Sequence, residues 1–334
     1  MSGPDWLTQR LPAGRHRLWW AGACITLVLV GILLFSLDFG VFSAQLESLS
    51  WLWLLIALAF LFLEATLTAV RIRLFAPTRP TLGAATEANA WYVILVLSLP
   101  ARLGDVAAIV VFERYLGLKK GAALASIVAQ RLFDVLSIAL IFLLVGLAMV
   151  DDLGVEADAR PLAIAAVLVV LMAVIYLRPL LTLAARLFHG DRRPVGRVRR
   201  MLLKLILQAR SWHHQFMNTP RAMLALFVSL SKWVATMAGI AGVLMALHTD
   251  ISTLQIWVAS AVYNFTAIVP LHSIGGFGMG EVGLSAVLIG LGLTAGTAVG
   301  IALFLRLTLI LFTVAYFLLV MAGRRLSRAV VAHG

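Results

Sequence analysis

The apolar positions of this chain fall into long runs separated by short polar breaks. They do not form the one-sided 3.6-residue stripe of a soluble helix or the alternation of a half-buried strand. Six runs, at about 18–37, 51–74, 121–150, 161–180, 222–247 and 298–321, reach the roughly 20 residues a helix needs to cross a bilayer core. The first is longer than a signal-peptide core and reads as a retained helix. Two further stretches, 84–116 and 252–292, are broken by proline and glycine. In the first of them, arms 84–99 and 105–116 would be roughly 24 and 18 Å long at about 1.5 Å per residue, short of a core of about 30 Å.

Charge distinguishes a kinked crossing from a hairpin that returns to its own side. If both stretches return, Arg71, Arg73, Arg79, the basic segment 186–221 and the tail arginines Arg324, Arg325 and Arg328 all face the cytoplasm. The outer loops then hold Asp38, Glu47, Asp151, Asp152, Glu156, Asp158 and Asp250, with Arg160 as their base. That bias follows the positive-inside rule. The expected fold is therefore an all-α polytopic membrane protein, a single transmembrane domain over 1–334. It has six full transmembrane helices plus two re-entrant helical hairpins, one from each side, and both termini cytoplasmic. Within 186–217, Val198, Met201, Leu202, Leu205 and Ile206 recur at helical spacing among arginines. This pattern suits a cytoplasmic amphipathic helix lying on anionic lipid headgroups.

Composition agrees: 62% of the 334 residues are hydrophobic and 13% charged, more apolar surface than a soluble domain hides. The net charge of +12 would suggest nucleic acid, but most of it flanks the spans, so no nucleic-acid partner is expected. A single cysteine, Cys24, allows no internal disulfide and no cysteine metal site. His213-His214 has no ligand cluster around it. Gly278, Gly280 and Gly283 have dinucleotide-loop spacing but follow no strand. No metal, cofactor or catalytic constellation is expected.

The halves repeat. Glu64 precedes Pro100 by 36 residues and Lys232 precedes Pro270 by 38; Asp105 precedes Arg131 by 26 and Glu281 precedes Arg306 by 25. Each half, 51–150 and 222–322, reads as a charged span, a Pro-Gly-acid hairpin and a span with an arginine. The halves start from opposite sides, which makes an inverted-topology repeat, a transporter design with its site at the midplane.

Glu64, Arg102, Asp105, Arg131, Asp134, Lys232, Glu281 and Arg306 fall at membrane depth, where each lone charge costs about 2.5–3.5 kcal/mol. They should pair or face water. Asp105 and Glu281 also suit helix capping. Arg131 and Asp134 can pair within one helix, and Glu64 and Lys232 across the repeat axis. Arg306 stands alone in its apolar run. Arginine forks match phosphate oxygens. Ser273, Gly275, Gly276, Gly278 and Gly280 would let backbone N–H groups approach the same anion, or simply let a tight turn pack. Pro100, Gly104 and Pro270 are the expected hinges. His272, at the second tip, is a candidate proton carrier or a structural histidine.

Pro100-Ala101-Arg102-Leu103-Gly104-Asp105, Ala129-Gln130-Arg131-Leu132-Phe133-Asp134, Pro270 through Glu281, and Arg306 together resemble the flippase-like membrane region of lysylphosphatidylglycerol synthases, over roughly 20–325. The resemblance implies movement of a lipid between the leaflets of a bacterial inner membrane. Phospholipids or polyprenyl-phosphate-linked lipids are the implied partners, and a homo-oligomer is compatible with it. Only Ala322–Gly334 follow the last span, so lysyl transfer is not expected of this chain. The sequence leaves two alternatives open, an integral-membrane transferase with Asp105 or Glu281 as base, and an accessory lipid-binding subunit.

Overall fold

The computed structural model describes residues 40, 43, 46–99, 103–149, 220–249, 251–266 and 278–333; for 103, 105, 142–149 and 328–333 only the backbone is described. The expected spans 18–37 and 161–180, the acidic loop 151–158, the basic segment 186–217 and both hairpin tips lie outside these residues.

The described chain is helical: α1 (Trp51–Phe75), α2 (Leu82–Ser98), α3 (Leu103–Leu116), α4 (Lys120–Met149), α5 (Arg221–Ala246), α6 (Thr253–Thr266), α7 (Met279–Gly290) and α8 (Ala295–His333). Helices α1, α4, α5 and α8 are long and apolar enough to cross a membrane. They are apolar on nearly all faces because the outer face meets lipid: Trp51, Leu55, Phe227, Leu311 and Leu318 are more than half exposed. Helix α8 continues past the expected end at 321 and carries Arg324 and Arg325 as helix. No proline follows to stop it.

The proline- and glycine-broken stretches form helix pairs, α2 against α3 and α6 against α7. These helices have 17, 14, 14 and 12 residues, so the longest spans about 26 Å at about 1.5 Å per residue. Both second arms end on a glycine in the left-handed region, Gly117 (φ 66°) and Gly292 (φ 100°). At Gly117 the N–H of Leu118 closes back on the carbonyl of Phe112 at 3.3 Å, the cap that glycine adopts without a Cβ penalty.

The core of the described residues is the antiparallel pair α1·α5, the most extensive packing among the described helices. Ala57 and Leu61 meet Gly239 and Gly242 closely, the small-residue packing of helices in lipid. Around it, α1 on α2 is matched by α5 on α6, α2 on α3 by α6 on α7, and α3 on α4 by α7 on α8. Likewise α1 on α4 is matched by α5 on α8, and α4 on α5 by α8 on α1.

The two helix pairs root at opposite ends of this core. At one end the Ser50 N–H donates to the Ala246 carbonyl at 2.9 Å, and Leu49, Ile251 and Leu293 pack on the same cluster. At the other end Arg73, Arg79 and Arg221 surround one hollow. There Thr78 Oγ1 donates to the Leu116 carbonyl at 3.1 Å, and Glu87 is ion-paired with Arg324. The base of α2–α3 therefore shares an end with the basic end of α8, and the base of α6–α7 lies at the far end.

Candidate functional site

Glu64, Thr68 and Arg71 recur at four- and three-residue steps, so they share one face of α1. That face meets Gln130, Arg131 and Asp134 of α4, Lys232 of α5, and Arg306 and Thr313 of α8 around a partly open cavity of about 350 Å³. The remaining wall is apolar and belongs mostly to α2, with Val93, Val96, Leu97 and Leu99 beside Tyr92. Among the described residues four cations and two carboxylates line the space; with Glu281, which pairs with Arg306 from behind, the whole cluster carries a surplus of one positive charge.

Asp134 is the hub. It is 3% exposed and is gripped by both terminal nitrogens of Arg71. It also accepts from Trp233 Nε1 at 2.8 Å and Arg131 Nη1 at 3.4 Å, and Lys232 Nζ stands 3.9 Å away. Lys232 is equally 3.9 Å from Glu64 and lies 3.5 Å from the Trp233 ring centroid, a cation–π position. Glu64 in turn accepts from Thr68 at 2.9 Å. Arg131 also donates to Tyr92 Oη; its side chain is 42% exposed against 5% for Arg71.

A second cluster adjoins the first through Arg306. Its Nε lies 3.7 Å from Glu281, which also accepts from Tyr263 Oη at 3.4 Å and from the Gly278 N–H at 2.8 Å. Glu281 thus caps α7 and holds Arg306 at once. Arg306 is not alone in its span, as the sequence reading had it. Its partner comes from a helix start 25 residues earlier.

Of the sequence-predicted site residues, Glu64, Arg131, Asp134, Lys232 and Arg306 converge on the cavity. Glu281 reaches it through Arg306. Gly278 serves Glu281, and Gly280 packs on the Tyr263 ring; neither lines the cavity. Gly104 lies where α2 and α3 meet, and a Cβ there would fall 2.5 Å from the Val96 Cα. Pro100, Arg102, Pro270, His272, Ser273, Gly275, Gly276 and the Asp105 carboxylate lie outside the described residues.

Arg71 corrects the sequence reading, which set it at the cytoplasmic end of its span with Arg73 and Arg79. It is 4% exposed and central. Two residues along a helix is about 200° of rotation, so Arg73 faces out while Arg71 faces in. The seven-residue spacing from Glu64 carried that signal. Among the described residues no three His, Cys, Asp or Glu side chains gather as a metal would require.

Long apolar helices closed around a charged cavity define a multi-pass α-helical membrane protein. Residues 19–316 match the model of the lysylphosphatidylglycerol synthase TM region, and the chain belongs to that family. No curated protein and no solved structure matches the chain. The family is the membrane region of lipid-modifying synthases, and a membrane- and lipid-related role follows.

Proposed function

We propose that this protein is a flippase-like lipid translocase of the bacterial inner membrane. It moves an anionic or phosphate-bearing lipid, a phospholipid or a polyprenyl-phosphate-linked one, between leaflets by alternating access. The observation that carries the reading is the cation surplus of the cavity beside an apolar wall. A headgroup phosphate would exchange for Tyr92 and Glu64 as the partner of Arg131 and Lys232. Lys232 stands 3.9 Å from each of its carboxylates, and the Arg131 side chain is itself 42% exposed, so an incoming oxygen can compete for both. Arginine forks suit phosphate geometry. The tails would follow the α2 wall of Val93, Val96 and Leu97.

The cycle rests on the chain being an inverted repeat with α2–α3 and α6–α7 as re-entrant hairpins. Three features support that. Most of the helix packings come in matched pairs, α8 on α2 being the exception, and the hairpin bases root at opposite ends of α1·α5. In addition, Gly117 precedes Arg131 and Gly292 precedes Arg306 by the same fourteen residues. One half then rocks against the other around a fixed midplane site, with both termini cytoplasmic.

The test is lipid movement in proteoliposomes carrying a short-chain fluorescent anionic phospholipid. Arg131→Gln and Lys232→Met should each slow it about tenfold or more, the scale of a lost charge-assisted contact. Wild-type rates in both variants would overturn the mechanism. Turnover of the lipid in detergent, where there is no second leaflet, would favour a transferase instead.

A further inference from the structure

One helix packing breaks the correspondence between the two halves. The other packings between them are matched, α1·α5 by itself and α4 on α5 by α8 on α1. Helix α2 also closes on α8, and among the described residues α6 does not close on α4 to a like extent. The difference lies in the residues. Asn89 Nδ2 donates to Tyr316 Oη at 3.3 Å and to the Ala65 carbonyl at 3.2 Å. The Trp91 ring meets Phe317 edge-on, with centroids 4.9 Å apart. One turn nearer the basic end, Glu87 is ion-paired with Arg324. Aligning Pro100 with Pro270 places Trp257, Ala259 and Ala261 where α2 has Glu87, Asn89 and Trp91. Aligning Arg131 with Arg306 places Ile141 and Met149 where α8 has Tyr316 and Arg324. Those side chains cannot form an ion pair, and Trp257, Ala261 and Ile141 share an apolar cluster instead.

The α2·α8 seam borders the transport cavity. Val93 and Phe312 pack in its apolar part, and Val93 lines the cavity together with Thr313, the next residue along α8. Helix α2 thus walls the site with its deeper turns and closes on α8 with those nearer its base. When the halves of an inverted repeat exchange conformations, each packing becomes its counterpart. Matched packings persist through that exchange, and the unmatched one is lost.

We propose that the α2·α8 seam is a gate on the basic side of the transport cavity, shut in this structure and locked by the Glu87–Arg324 pair. The proposal rests on the translocase reading and adds the place where the halves part. In the opposite state α2 leaves α8 and α6 closes on α4. The pair suits a lock that opens. The Glu87 side chain is 7% exposed and that of Arg324 37%, so water or a headgroup phosphate can take over the guanidinium as the helices separate.

The test places a reporter thiol in the cavity, Thr313→Cys in a Cys24→Ser background. Its alkylation by an impermeant maleimide is followed in sealed vesicles, from the side on which Arg325→Cys reacts. Arg324→Gln should speed alkylation about fivefold or more, and the exchanged pair Glu87→Arg/Arg324→Glu should bring the rate back toward its starting value. Arg325→Gln, one residue on and exposed, should leave it unchanged. Ile240→Cys, buried in the α1·α5 core, should stay unreactive in the Arg324→Gln background, which separates opening of the seam from general loosening. No acceleration by Arg324→Gln, equal acceleration by Arg325→Gln, or alkylation of the core thiol to the same degree overturns the gate. The second arm bridges Glu87→Cys/Arg324→Cys with a flexible bifunctional thiol reagent, which should stop lipid movement in proteoliposomes relative to the same variant unbridged. Movement at the unbridged rate overturns the gate and leaves the translocase standing. Acceleration by Arg324→Gln in a protein that moves no lipid supports the gate and removes the translocase.

Discussion

Replacing Asp134 by asparagine removes the carboxylate that Arg71, Arg131 and Lys232 share, and the cost should fall unevenly on the three. The side chains of Arg71 and Asp134 are each 5% exposed. Leaving Arg71 without that partner in a water-poor interior belongs to the class of broken buried pairs, about 3–5 kcal/mol. Arg131 is 42% exposed, so water screens it and its coupling to Asp134 should be about 0.2–1 kcal/mol. Asparagine keeps an acceptor for Trp233 but turns an amide toward Arg71, so little is recovered. Reversible unfolding in mixed micelles with double-mutant cycles separates the two couplings. Asp134→Asn should cost at least about 3 kcal/mol, with Arg71→Met accounting for most of the coupling and Arg131→Met for little. A cost below about 1 kcal/mol, or a larger coupling to Arg131 than to Arg71, would refute the hub.

Other expectations can be checked alongside. Gly104→Ala should destabilise by about 1–3 kcal/mol, and Val96→Ala should not rescue it, because the clash is with the Val96 backbone at 2.5 Å. Gly283→Ala meets Thr266 side-chain atoms at 2.5, 2.6 and 2.9 Å instead, so Thr266→Ala, which removes the two nearer atoms and keeps the Cβ, should restore part of the loss in the same unfolding assay. Arg324→Gln should cost more than Glu87→Gln, because it strands a buried carboxylate (7% exposed) whereas the reverse change leaves a 37% exposed guanidinium; unfolding midpoints of the two variants decide it. In a Cys24→Ser background, Arg79→Cys and Arg325→Cys should react with an impermeant maleimide from one side of sealed vesicles and His248→Cys from the other; labelling of all three from one side would break the proposed topology.

Much of the candidate site was legible because charge inside an apolar run has few explanations. Glu64, Arg131, Asp134, Lys232 and Arg306 each stood out against long hydrophobic stretches, and all five meet in one cavity. Arg71 did not stand out, since it lies within three residues of its span's apparent end and beside the outward-facing Arg73. Its role depends on helix phase against α4, and hydropathy carries no phase between helices. Glu87 was missed for a related reason: it reads as a surface acid at a helix start, and only the extra turns of α8 bring Arg324 over it.

The sequence alone determined that the chain is a helical membrane protein, where its four described long helices lie, which stretches break, and which of its charges are out of place. Those properties follow from the cost of apolar surface in water and of charge in hydrocarbon, both of which act residue by residue. Tertiary structure decided which charge meets which: three cations on Asp134, Glu281 on Arg306, and Arg324 on Glu87. Pairing depends on the rotation and crossing of helices that are far apart in the chain. That geometry is set by how small residues such as Ala57 and Gly242 let α1 and α5 close on each other.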